Sequence, residues 1–144
     1  MAVGDVNGDG VADSIIAAGG ADSGSAVEVF DGQTFGPSST ASLAFQARAA
    51  RSASRPVNVT GDGRSDIVVG APASGRVKVF DGASVRALIR SFRAFEGLSG
   101  RHQRGGGSLN GDGHADIVVG GAVNGHVKAA FDGVSNALMH SFVA

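Results

Sequence analysis

The chain has no cysteine, no tryptophan and no tyrosine among its 144 residues. Without cysteine there is no disulfide framework, no thiolate zinc site and no cysteine nucleophile, and the redox compartment stays open. Charge of one sign is also missing. Twelve Lys plus Arg stand against thirteen Asp plus Glu, a net charge of -1. That gives no electrostatic footprint for wrapping nucleic acid or sitting on an anionic membrane. No apolar run approaches the ~20 residues needed to span a bilayer, and Met1-Ala2-Val3-Gly4-Asp5 is not a charged-then-apolar secretion signal, so the chain reads as soluble. Only two Glu and two Lys are present, which leaves little of the usual material of surface helices.

What is present is glycine and aspartate. Twenty-four glycines are one residue in six, more than twice the roughly 7% of an average chain. A hydrophobic fraction of 42% excludes ordinary disorder. The length suits a single domain, provided that the chain buries its core alone. Short Ile, Val and Phe runs between glycines point to an all-β protein with tight connections.

The runs repeat with a period near fifty residues. Gly8-Asp9-Gly10-Val11-Ala12-Asp13 returns as Gly61-Asp62-Gly63-Arg64-Ser65-Asp66 and as Gly111-Asp112-Gly113-His114-Ala115-Asp116. A β-branched run follows each: Ile15-Ile16, Ile67-Val68-Val69 and Ile117-Val118-Val119. Then comes a run ending in Phe-Asp-Gly, at Phe30, Phe80 and Phe131, and a later apolar patch around Phe45, Phe92 and Phe142. Each unit reads as four antiparallel strands, with an Asp-Gly hairpin of type I′ between the first two. The second strand lacks polar alternation and should be buried on both faces; the third alternates and should have one wet face. Repeated four-stranded units are the pattern of β-propeller blades, here 1–50, 51–100 and 101–144. WD-type and kelch blades are excluded, since the first carry Trp-Asp and the second lean on Tyr and Trp.

In the first copy, oxygen-bearing side chains fall at loop positions one, three, five and nine (Asp5, Asn7, Asp9, Asp13), with glycine at six and the Val11 carbonyl at seven. Hard Ca²⁺ takes six to eight oxygens, and alternate residues of a tightly wound loop can point inward together. An EF-hand needs Glu at position twelve, where this chain has Ile16. Dockerin modules share the opening Asp-Val-Asn-Gly-Asp-Gly but use an acid at that position and helices. Ile16 and the flanking β-branched runs argue against both.

The string Gly61 to Pro72 closely resembles the FG-GAP repeats of integrin α-subunit propellers and their bacterial relatives, and Asn110 to Ala122 nearly does. The resemblance extends over all three units. It implies a Ca²⁺ loop joining the two innermost strands of each blade. Carried over by position, the first site is Asp5, Asn7, Asp9, the Val11 carbonyl and Asp13. The second is Asn58, Thr60, Asp62, the Arg64 carbonyl and Asp66, and the third is Ser108, Asn110, Asp112, the His114 carbonyl and Asp116. Site one keeps three carboxylates and the others two, so site one should be the strongest. The competing reading is that Asp62 and Asp112 form Asx-type turns and satisfy loop amides without metal. For Phe-Asp-Gly, the expectation is a turn, with Phe30, Phe80 and Phe131 packed between blades.

His102, His114, His126 and His140 show no metal-ligand spacing and read as surface residues. Arg48, Arg51, Arg55, Arg101 and Arg104 read as solvated loop, with a basic ligand patch as the alternative. There is no Gly-x-Ser-x-Gly elbow, and each Gly-x-Gly is followed by x-x-Asp, so neither a hydrolase nor a dinucleotide loop is supported. Three blades are too few for a ring of the usual four to eight. Ala144 aligns with Ala94 and Met1 with Arg104, so the ends fall between units, and two chains are expected to close a six-bladed ring. The function expected is a Ca²⁺-stabilised, non-catalytic scaffold or interaction module taking itself, a protein or a glycan as partner. A propeller-type lectin is the alternative, although the Trp and Tyr that usually stack on sugars are missing. The resemblance implies an extracellular or cell-surface location.

Overall fold

The structure, a computed structural model, describes residues 2–20, 24–45, 53–71, 75–84, 87–94, 103–122 and 126–143. They form twelve strands in three four-stranded antiparallel sheets, each a meander in chain order. Sheet one holds β1 (Ala2–Gly4), β2 (Asp13–Gly20), β3 (Gly24–Phe30) and β4 (Pro37–Phe45). Sheet two holds β5 (Ala53–Val57), β6 (Asp66–Ala71), β7 (Arg76–Phe80) and β8 (Leu88–Arg93). Sheet three holds β9 (Gln103–Gly107), β10 (Asp116–Ala122), β11 (His126–Phe131) and β12 (Leu138–Val143). The protein is all-β in these residues, and its sheets have the form expected of propeller-like blades. Among them, no helix is long and apolar enough to cross a membrane.

The burial follows the sequence pattern. On β6, Ile67, Val68 and Val69 are all buried, as a run without polar alternation requires. On β7, Val77 and Val79 are buried while Arg76 is exposed, and on β3 Glu28 is exposed between buried Val27 and Val29. Pro56, which has no N–H to donate, sits on the edge strand β5, paired only with β6.

The connection between the first two strands is not a two-residue turn. In each sheet it is an eight-residue loop: 5–12, 58–65 and 108–115. Positive φ falls on the glycines at loop positions four and six (Gly8 and Gly10, Gly61 and Gly63, Gly111 and Gly113) and not on the Asp between them. A type I′ turn would have needed it at that Asp as well. The carboxylate is instead used to organise the loop.

Sheets two and three share an apolar core. Val59, Val68, Val77 and Val79 of sheet two meet Ile117, Val119, Ala129 and Phe131 of sheet three. Fully burying a side chain of this size contributes roughly 1.5–3 kcal/mol. The Phe92 and Phe131 rings lie 4.9 Å apart at 55°, a tilted contact across the two sheets. Phe131 and Phe80 are thus buried as expected, whereas Phe30 is only half-buried. The Ser65 N–H donates to the Asp5 carbonyl and the Ala115 N–H to the Asn58 carbonyl, both at 2.8 Å. These bonds join loop to loop, so the three loops line up along one rim.

Candidate functional site

Each loop is built around the aspartate at position nine. Asp13, Asp66 and Asp116 are fully buried. Asp66 Oδ2 accepts from the Val59 N–H (2.8 Å), the Thr60 N–H (2.8 Å) and the Thr60 hydroxyl (3.1 Å), while Oδ1 accepts from the Gly82 N–H (3.0 Å). Asp13 repeats this on Val6, Asn7 and Gly32, and Asp116 on Leu109, Asn110 and Gly133. A buried carboxylate survives only when donors surround it, and here they come from two separate stretches of chain. Position nine therefore staples the loop to the Phe-Asp-Gly turn.

That turn brings the backbones into close approach. A Cβ on Gly82 would sit 2.9 Å from the Ser65 carbonyl carbon and closer still to its oxygen. Gly32 and Gly133 face Ala12 and Ala115 in the same way. None of these three has a positive φ. The glycine is there for space, not for an unusual dihedral.

The remaining loop oxygens turn onto loop amides. Asp5 accepts from the Gly8 N–H (2.6 Å) and the Gly10 N–H (2.9 Å), and Asn58 accepts from the Gly61 N–H (2.7 Å). In loop three, Ser108 Oγ accepts from the Gly113 N–H at 3.3 Å. Asp9, Asp62 and Asp112 each accept from the N–H two residues on, from Val11, Arg64 and His114, at 2.8 Å. This is the Asx-turn geometry named above as the competing reading. Among the described residues, no three His, Asp or Glu side chains converge as a metal centre would require. The donor chemistry still suits a hard cation at the outer loop positions: every candidate ligand is oxygen, and Asp5, Asp9, Asp62 and Asp112 accept fewer bonds than the roughly four a carboxylate can take, whereas Asp66 already accepts four.

One set of residues was missed in the sequence. The Asn7 amide NH₂ donates to Asp9 Oδ2 (3.1 Å) and to Asp31 Oδ2 (3.0 Å), and the Asn110 amide bridges Asp112 (2.9 Å) and Asp132 (2.8 Å). The Asp of Phe-Asp-Gly thus makes its turn and also stands beside the loop. Thr60 replaces Asn in loop two and bonds Asp66 instead. Donors within the turns hold Asp31 and Asp132 below the ordinary carboxylate value, chiefly the N–H and hydroxyl of Thr34 and of Ser135. Asp112 is lowered chiefly by the His114 N–H, with nearby Asp132 acting in the opposite direction. The signal available in sequence was the strict co-occurrence of Phe-Asp-Gly with the loop in all three units.

Position seven also differs from expectation. Arg64 lies across Gly8 of the preceding loop, where a Cβ would meet its Nε at 2.8 Å, and the His114 ring lies across Gly61 in the same way. His114 is half-buried, with Nδ1 3.1 Å from the Val59 carbonyl oxygen, so it is an inter-sheet contact and not a surface residue. His140 is exposed. His102, Arg48, Arg51 and Arg101 lie outside the described residues, as do the side chains of His126, Arg55 and Arg104.

The FG-GAP repeat matches residues 52–85, from β5 through the loop, β6 and β7 into the Phe-Asp-Gly turn of sheet two. No curated protein matches the chain. The matched stretch contains both halves of the Asp66 staple, and sheets one and three reproduce its bonds. The match supports an FG-GAP-type repeat in sheet two and, with the three antiparallel sheets, a propeller-like interaction module.

Proposed function

We propose that the protein is a Ca²⁺-binding, non-catalytic interaction module whose blades are completed to a six-bladed ring by a second copy of the chain, acting outside the cell or at its surface. The observation that carries this reading is the row of three equivalent loops along one rim, each stapled by a buried aspartate, the middle one within the FG-GAP match. Ca²⁺ would be held by Asp5, Asn7, Asp9, the Val11 carbonyl and Asp13 in loop one. Asn58, Thr60, Asp62, the Arg64 carbonyl and Asp66 would hold it in loop two, and Ser108, Asn110, Asp112, the His114 carbonyl and Asp116 in loop three. The cation would neutralise carboxylates that now share backbone amides, and loop one, with three of them, would bind most tightly.

The test is thermal unfolding in millimolar Ca²⁺ against chelator. A ligand that binds only the native state stabilises it by RT ln(1 + [L]/Kd), about 2.7 kcal/mol at a hundredfold excess over Kd. The melting temperature is expected to rise with Ca²⁺, and Asp5→Ala to remove more of the rise than Asn58→Ala. An unchanged melting temperature defeats the metal assignment.

A further inference from the structure

The two seams within the chain are built alike, and their halves reappear unmatched on its two outer flanks. On the leading side of a seam stands a position-seven side chain that covers the preceding loop's glycine: Arg64 on Gly8, His114 on Gly61. Beside it the position-eight N–H donates to the preceding loop's position-one carbonyl: Ser65 to Asp5, Ala115 to Asn58. On the trailing side, the position-two residue is buried by this cover, with Val6 only 2% and Val59 only 3% exposed.

Sheet one presents the leading set with nothing before it among the described residues. Val11 at position seven is exposed, and Phe30 is half-buried where Phe80 and Phe131 are buried. Sheet three presents the trailing set with nothing after it among the described residues. Leu109 at position two is 57% exposed, and the space over Gly111 is open. Among the described residues, no bond across a seam involves the Ala12 N–H or the Ser108 carbonyl. Phe142 holds on β12 the register position that Phe92 holds on β8.

We infer that these flanks join head to tail between two copies of this chain, each repeating the internal seam: Val11 of one copy over Gly111 of the other, the Ala12 N–H on the Ser108 carbonyl, and Leu109 buried beneath. This rests on the self-assembly part of the proposed function and assigns its interface. The occupant is a second copy because the required surface is already the one that sheets two and three present to their neighbours, so the new contact continues an established interface. A head-to-tail contact closes when its rotation completes a ring, and two copies supply six blades, within the usual four to eight.

The experiment is mass in solution by light scattering, with folding followed by circular dichroism. The wild type is expected at twice 14.2 kDa. Leu109→Glu, at a side chain exposed in the single chain, should halve that mass without loss of β signal, because a carboxylate would be buried unpaired at each seam. Val11 supplies a charge pair of variants from the opposite flank. Val11→Arg reproduces the residue at position 64 and should keep the dimer, whereas Val11→Glu faces Asp112 and should dissociate it. A wild-type monomer or trimer overturns the inference together with the six-bladed reading, and leaves the Ca²⁺ result standing or falling alone. A dimer that survives both Leu109→Glu and Val11→Glu overturns the seam while self-assembly stands.

Discussion

Asp66 is both a proposed cation ligand and a staple, and the two roles separate when metal is withheld. Replacing it by Ala orphans the buried Gly82 N–H and the partly buried Thr60 N–H and hydroxyl, while the Val59 N–H keeps a second acceptor, the Val57 carbonyl, at 3.1 Å. A buried donor left without a partner costs about 1–3 kcal/mol. The buried Gly82 donor therefore sets a loss of roughly 1–3 kcal/mol, since water can reach the Thr60 groups and Val59 falls back on the Val57 carbonyl. That is an appreciable part of a typical stability of about 5–15 kcal/mol. Asp66→Asn keeps one oxygen, which can stay on Val59 and Thr60, but it sets an NH₂ against the Gly82 N–H, so it should cost somewhat less than Ala. Asp62→Ala, at an exposed side chain that accepts only from the Arg64 N–H, should cost less than about 1 kcal/mol. The assay is urea unfolding in chelator at one fixed protein concentration, so that neither metal nor assembly varies. The expected order of loss is Asp66→Ala, then Asp66→Asn, then Asp62→Ala. If Asp66→Ala in chelator costs no more than Asp62→Ala, the carboxylate is not a staple and the hydrogen-bond account of the loop is wrong.

Three further outcomes follow from the same geometry. Gly82→Ala should destabilise more than Gly63→Ala in urea unfolding, because its Cβ meets the rigid Ser65 carbonyl, whereas at Gly63 the space is open and only the dihedral (φ 87) is strained, at about 1–2 kcal/mol. Phe35 holds φ 56 while 84% exposed, at the turn position that Asn136 takes with φ 62 in sheet three. Phe35→Asn should therefore raise stability by about 1 kcal/mol, and a loss would show that the ring has a partner. Asp31 and Asp132 are held below the ordinary value of 3.8, so their contribution is complete above that value and is lost as pH falls through the lower folded one. Thermal unfolding between about pH 5 and pH 2 should show a loss below pH ~4 that is shallower in the Asp31→Asn, Asp132→Asn double variant, and an unchanged slope would refute the assignment.

The strand plan was legible because its signals are local: β-branched runs, their alternation on β3 and β7, and glycine at fixed offsets. What could not be read locally is what each loop residue touches. Position nine looks like a ligand from its spacing, yet its carboxylate is filled by N–H groups as far away as Gly82, sixteen residues on. The glycine of Phe-Asp-Gly looks like a turn residue, yet the Ser65 carbonyl against it is what forbids a side chain. His114 looked like surface because Val11 and Arg64 occupy its place in the other units, but varied side chains can all cover a glycine, so variety at a position does not imply solvent there. Val6, Val59 and Leu109 make the general point most sharply. They share one loop position and one apolar character, and two are buried while the third is more than half exposed. Since nothing in the residue itself accounts for that, the difference must come from the neighbouring sheet. An apolar residue at this position therefore marks where a sheet can take cover, and the exposed Leu109 is the side chain that the inferred seam would bury.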